Sequence, residues 1–235
     1  MSAILVFLAG IFGIVGWWLA RQRLTSKPWL ETERAGDLPD IQRSPLPTAK
    51  IGLGIFLAVV CALFTLLISA YLTRMGSADW WGMPVPPLLW VNTAVLLVNG
   101  ASMEWAKAEA RFSLGETLNT ALAMAFGTGF LFLLGQLLVW WQLVSAGYVL
   151  ADNPANSFFY MITGIHGLHI IGGLFVLGRA TVRARSNFTW SKMRLSVDLC
   201  ATYWHVMLII WLVMFALFAG WANSFAYLCR QLVVT

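Results

Sequence analysis

Long apolar runs separated by short polar segments make up most of the chain. Six stand out, over residues 3–20, 51–72, 87–106, 117–145, 157–178 and 199–227. A hydrocarbon core of about 30 Å takes about 20 apolar residues of helix. Within lipid only helices and closed barrels satisfy every backbone N–H and C=O. These runs lack the short alternating segments of a barrel, so the pattern predicts an all-α, polytopic membrane bundle of six transmembrane helices. The fourth and sixth runs exceed a perpendicular crossing and must tilt or project. The chain divides into a membrane anchor with its connector, 1–50, and a five-helix bundle, 51–235. Charges follow the first run rather than precede it, which marks an uncleaved anchor rather than a signal peptide. The connector, "SKPWLETERAGDLPDIQRSPLPTAK", is proline-containing, of mixed charge and irregular.

The polar segments set direction. The first loop carries Arg21, Arg23, Lys27, Arg34, Arg43 and Lys50, the third Lys107 and Arg111, and the fifth Arg179, Arg183, Arg185, Lys192 and Arg194. Of the 15 Lys and Arg, only Arg74 and Arg230 fall on the other side. Positive loops stay in the cytoplasm. Both termini are therefore expected on the outer, periplasmic side of the inner (plasma) membrane, which requires an even number of spans.

Composition agrees. The chain is 60% hydrophobic and 11% charged, with mean hydropathy +0.76, where soluble domains carry about 25% charged residues. The net charge of +5 and pI of 9.4 do not imply nucleic acid, because the charges sit between apolar runs and form no stripe. Cys61, Cys200 and Cys229 form no close pair, so neither a disulfide framework nor a zinc site is indicated.

Candidate chemistry concentrates in "FFYMITGIHGLHIIGG", residues 158–173. Thr163, His166 and His169 share one helix face, and Gly164 and Gly167 allow a neighbouring helix to approach closely. One reading is a metal or haem ligand pair. The other, favoured because no carboxylate accompanies the histidines, is a polar packing face hydrogen-bonded to a neighbour. His205, in "TYWHVMLIIW", lies at a different depth by roughly 10 to 20 Å along the helix rise, which separates it from a shared metal centre. Glu104 is the one carboxylate near a span and is expected to pair with Lys107. Asn92, Thr93, Asn99, Ser102 and Gln136 read as interhelical hydrogen-bond glue. Most of the 13 tryptophans, Trp80, Trp81, Trp140 and Trp141 among them, lie near span edges as an interfacial belt. No phosphate loop, nucleophile elbow or paired catalytic carboxylate occurs.

These residues carry a resemblance. "TGIHGLHIIGG" is similar to the TGxHGLHxxxG signature helix of subunit III of haem-copper terminal oxidases, the cytochrome c oxidase subunit III family. "LLISAYLTR", "PPLLWVNTAVLLVNGASMEWA", "LGQLLVWW" and "DLCATYWHVMLIIWLVMF" resemble the family's other helices in order. The likeness covers residues 51 to 229. It implies a bundle with a V-shaped lipid cleft and a non-catalytic subunit with no haem, copper or other cofactor of its own. It further implies packing on oxidase subunits I and II, bound phospholipid, and support of a complex that reduces oxygen and translocates protons. Thr163, His166, Gly167, His169, Gln136, Tyr71, Trp204 and His205 would then be structural or interface residues, and Trp105 and Trp140 would line the lipid cleft. The family's three buried carboxylates fall here on Val60, Val139 and Leu208, so a role depending on them is not implied. The likeness extends to the accessory subunit of nitric oxide reductase. A haem-binding cytochrome using His166, His169 and His205 and a small transporter are the rival readings, the transporter disfavoured because the spans hold few ionisable groups and no matched inverted halves.

Overall fold

The computed structural model describes residues 48–112, 116–184 and 190–220. These form five helices: α1 (Thr48–Arg74), α2 (Pro87–Phe112), α3 (Glu116–Ser145), α4 (Pro154–Ala184) and α5 (Trp190–Phe218). The described residues hold no strand. The first expected span, 3–20, and nearly all of the 1–50 segment lie outside the described residues.

Helix ends are written in the local sequence. Pro87 opens α2, where its fixed φ and missing N–H are tolerated. Asn153 caps α4: its Oδ1 accepts from the Ala155 N–H at 3.0 Å, and Pro154 takes the first helical position. The Asn153 amide also donates to the Trp81 carbonyl, tying the α1–α2 loop to the start of α4. At the end of α3, Gly147 adopts φ 91°. The Tyr148 N–H then reaches the Leu143 carbonyl at 3.0 Å and the Gly147 N–H the Val144 carbonyl at 3.1 Å. That is the Schellman pattern, which a Cβ at Gly147 would strain.

The last expected span is displaced. Residues 199–227 were expected, but the helix begins at Trp190 and closes at Phe218, with Gly220 at φ 79°. Hydropathy misses the start because Ser191, Lys192, Arg194, Ser196 and Asp198 are polar, yet Met193, Val197, Ala201 and Trp204 keep a buried face at helical spacing. Residues 221–227 lie outside the described residues.

Among the described residues, four helices are long and apolar enough to cross a membrane: α1, α3, α4 and α5. α2 is long enough, at about 39 Å by helix rise, but less apolar. The reason is where its polar residues go. Asn92, Thr93, Asn99 and Ser102 are all buried against protein, so lipid never meets them.

α2 packs on α3 and α5, α3 on α4, and α4 on α5, closing a ring of four helices; α1 lies against α4 and α5. The ring is apolar outside and partly polar inside. Large side chains such as Leu97, Phe130, Trp141, Leu168, Phe175 and Ile209 are exposed, while Gln136, Thr163 and His166 are buried. This is the reverse of a soluble fold and fits a lipid surround. As a cleft, the described residues offer an apolar groove of about 1090 Å³ between α3 and α4.

Replacing the α4 cap, Asn153→Ala, is expected to lower the unfolding free energy in detergent by about 1 kcal/mol. Asn153→Ser, which keeps a capping oxygen but loses the tie to Trp81, should lose less. Equilibrium unfolding followed by circular dichroism measures both.

Candidate functional site

The inner face of the ring holds a polar ladder, and each of its four interfaces carries at least one interhelical hydrogen bond. Between α2 and α3, the Asn92 amide donates to Gln136 Oε1 at 3.2 Å. The Asn99 amide donates to the Ala125 carbonyl and to Thr128 Oγ1. Between α2 and α5, Trp211 Nε1 donates to Thr93 Oγ1 at 3.0 Å. Between α3 and α4, Trp140 Nε1 donates to Thr163 Oγ1 at 3.1 Å. Between α4 and α5, His166 Nε2 donates to the Met207 carbonyl at 3.2 Å, and the Tyr203 hydroxyl to the His169 carbonyl at 2.6 Å. The hydroxyls of Thr93 and Thr163 return their protons to carbonyls of their own helices, Leu89 and Phe159. Each threonine is therefore a relay that accepts from an indole and donates along its helix.

Close approach at one point depends on a missing side chain. A Cβ on Gly135 would stand 2.3 Å from Asn92 Oδ1. Glycine there seats the Asn92 amide beside Gln136, the next residue of α3.

His166 is fully buried in an aromatic enclosure. Trp211 lies 5.0 Å from it by ring centroids, Phe132 5.7 Å and Phe64 6.1 Å. Its Nδ1 has no hydrogen-bond partner. His169, three residues on, lies 5.6 Å by ring centroids from the same Phe64 ring and donates from Nδ1 to the Ile165 carbonyl at 2.8 Å. His205 stands in an ionic group instead, with Nε2 3.6 Å from Glu104 Oε2. Among the described residues, no three His, Cys, Asp or Glu side chains are grouped to hold a metal ion.

That ionic group gathers one end of the bundle. Glu104 pairs with Lys107 at 3.7 Å, and Lys107 reaches Asp198 at 3.9 Å. Asp198 also pairs with Lys50 on α1. Asp198 escapes the hydropathy pattern because the expected span begins one residue after it, which leaves Glu104 as the one carboxylate near a span. Trp211 and Gly135 were also missed: a tryptophan or glycine inside an apolar run gives no sign of which neighbour it meets.

The remaining candidate residues fall in several places. Tyr71, on α1, packs edge-on to Trp80 at 4.9 Å, Phe218 at 5.9 Å and Phe158 at 6.0 Å, at the end opposite the ionic group. Trp204 is 1% exposed and lies within the bundle. Trp140 and Gly167 line the α3–α4 groove. Trp105 does not line it; its Nε1 donates to Glu109 Oε1 at 3.3 Å near the end of α2. Trp140, expected in an interfacial belt, turns inward to Thr163, while Trp141 is exposed. Val60 and Val139 are buried in apolar surroundings, and Leu208 packs against Gly100.

Comparison with known proteins assigns this architecture. Residues 50–223 match the family model described as cytochrome c oxidase subunit III. The cytochrome c oxidase subunit 3 of Pylaiella littoralis is 31% identical over 149 residues, covering 60% of this chain and 49% of that protein. That of Petromyzon marinus is 33% identical over 138 residues, covering 58% and 51%. That of Synechocystis sp. is 30% identical over 172 residues, covering 71% and 72%. The matched stretch thus spans about half the length of the first two relatives and most of the third.

The aromatic enclosure yields a substitution pair. His166→Phe keeps an aromatic ring in the enclosure but removes the bond to the Met207 carbonyl along with the unpartnered Nδ1, so it should cost about 1–2 kcal/mol. His166→Ala opens a cavity and should cost about 2–5 kcal/mol. Unfolding of the purified chain in detergent measures the difference; an equal loss in the two variants would show that the Met207 bond outweighs the packing of the ring.

Proposed function

The chain belongs to the cytochrome c oxidase subunit III family, and on that footing we propose that it serves as a non-catalytic integral subunit of a haem-copper respiratory oxidase. It packs on the catalytic subunit I, beside subunit II, and stabilises it while the complex reduces oxygen and translocates protons. The haem and copper belong to subunit I. The observation that carries this reading is the use made of the signature helix. Thr163 and His166, the polar residues most open to a ligand reading, are committed to Trp140 and to the Met207 carbonyl. A residue bonded to a neighbouring helix builds a rigid wall rather than a reaction centre.

Phospholipid is the second part of the proposal. The α3–α4 groove has an almost wholly apolar wall running from Trp140 and Thr163 to Arg179 and Val182. The 19 residues from 163 to 182 rise about 28 Å, close to the hydrocarbon thickness. Arg179 is exposed near one end, its guanidinium carbon 5.8 Å from the Phe175 ring centre. Acyl chains lie in the groove and a headgroup phosphate meets the arginine.

The subunit resides in the plasma membrane with both termini outside, because Lys and Arg concentrate in the loops of one side. The end bearing Lys50, Lys107 and Asp198 is then cytoplasmic. With aliphatic residues at Val60, Val139 and Leu208, the bundle avoids the desolvation cost of buried carboxylates and contributes no proton-carrying acid at those positions.

Gentle detergent purification of the tagged chain is expected to bring down a large haem-bearing subunit. Deleting the chain should leave an oxidase with an unaltered haem spectrum that inactivates several-fold faster during turnover. A haem Soret band from the isolated polypeptide, or an oxidase equally durable without it, would overturn the assignment.

A further inference from the structure

One contact in the ionic group brings two groups of the same kind together. His205 Nδ1 is bonded to the Ala201 carbonyl, which can only accept, so Nδ1 carries the ring proton. The neutral imidazole then has a lone pair at Nε2. That lone pair faces Glu104 Oε2 at 3.6 Å. Two acceptors meet, too far apart for a hydrogen bond and with no proton to share. The rest of the row alternates in sign. Lys50 of α1 pairs with Asp198 of α5, Asp198 reaches Lys107 of α2, and Lys107 pairs with Glu104. A positive charge at His205 would extend the alternation by one step. Both side chains meet solvent, His205 at 38% and Glu104 at 58% exposed. Of the other titratable groups on helices packed against α5, Glu109 of α2 is bonded to Trp105. On α4, His169 is bonded to the Ile165 carbonyl and Arg179 lies in the α3–α4 groove. Among the described residues, Glu104 is the one carboxylate within 4 Å of His205.

We propose that His205 and Glu104 form a proton-operated clasp between α5 and α2. Taking a proton at Nε2 makes the imidazole a cation that donates to Glu104 Oε2. A charge-assisted bond of this kind is about 2.7–2.9 Å long, so the contact shortens by about 0.8 Å. Glu104 can make that movement because more than half of its side chain is exposed. No existing pair has to break, since Glu104 faces Lys107 through its other oxygen, Oε1. Between about pH 8 and about pH 5.5 an imidazole gains its proton, while lysines stay charged and carboxylates ionised. The clasp therefore closes as acidity rises. It fastens α2 to an α5 that already holds α1 through Asp198 and Lys50. In the orientation proposed above this end is cytoplasmic, so acidity on that side closes it; the clasp itself does not depend on that orientation.

The test is a double-mutant cycle on the full chain in detergent, where both ends of the bundle meet the same pH. Wild type, Glu104→Gln, His205→Asn and the double variant are unfolded at about pH 5.5 and about pH 8. Asparagine keeps a donor near the place of Nδ1. At the lower pH the pair is expected to couple by about threefold in the unfolding equilibrium constant, the size of a partly exposed ion pair. At the higher pH the coupling should vanish. A coupling no larger at the lower pH than at the higher, or none at the lower, overturns the proposal. Circular dichroism confirms that each variant is folded. Should the His205 variants not fold, Glu104→Gln decides alone. Its loss of stability must then be about threefold larger at the lower pH, and the same loss at both values overturns the clasp.

Discussion

A polar side chain on a helix in hydrocarbon has no water to turn to, and its hydrogen bonds must come from protein. The bundle is organised around that constraint. Every interface of the four-helix ring is pinned by at least one bond, from Asn92 to Gln136, Trp140 to Thr163, His166 to the Met207 carbonyl, and Trp211 to Thr93. Individually such bonds are modest, about 0.6 kcal/mol on average in a membrane protein. Their effect is on register. An indole must find one threonine oxygen, so a helix that slides or rotates loses its partner.

The apolar packing follows from those fixed points. Phe132 and Trp211 meet edge to face at 4.8 Å and close around His166. Gly135 lets α3 come near enough for the Asn92 amide to bridge. α1 is held differently. Its Lys50 pairs with Asp198 at one end, and its Tyr71 sits among aromatic rings at the other. Between them, its outward residues Ile55, Val59 and Leu66 are exposed. Ion pairs belong at that end because half-exposed charges there still reach water.

The division between an inner polar ladder and an outer apolar coat bears on function. A subunit whose histidines and threonines are occupied by structural bonds presents rigid surfaces to neighbours and to lipid. His166 and His169 flank the Phe64 ring inside the bundle, whereas His205 stands beside Glu104 at the ionic end.

Much of this was legible in the residues themselves. Run length and the lack of alternation specified membrane helices, and four of the expected spans fall on helices with starts within three residues. "TGIHGLH" marked a polar face, because Thr163, His166 and His169 in an apolar run are costly unless used. The family resemblance rested on those same residues. The start of α5 was misplaced because hydropathy reports lipid contact, whereas Ser191 to Asp198 form helix beyond it. Which partner each polar group takes was decided only in three dimensions. Helical periodicity says which side chains share a face, but the choice of Trp140 for Thr163, or Glu104 for His205, depends on how five helices are rotated and staggered. That is set by the joint packing of residues far apart in the chain, and no local pattern encodes it.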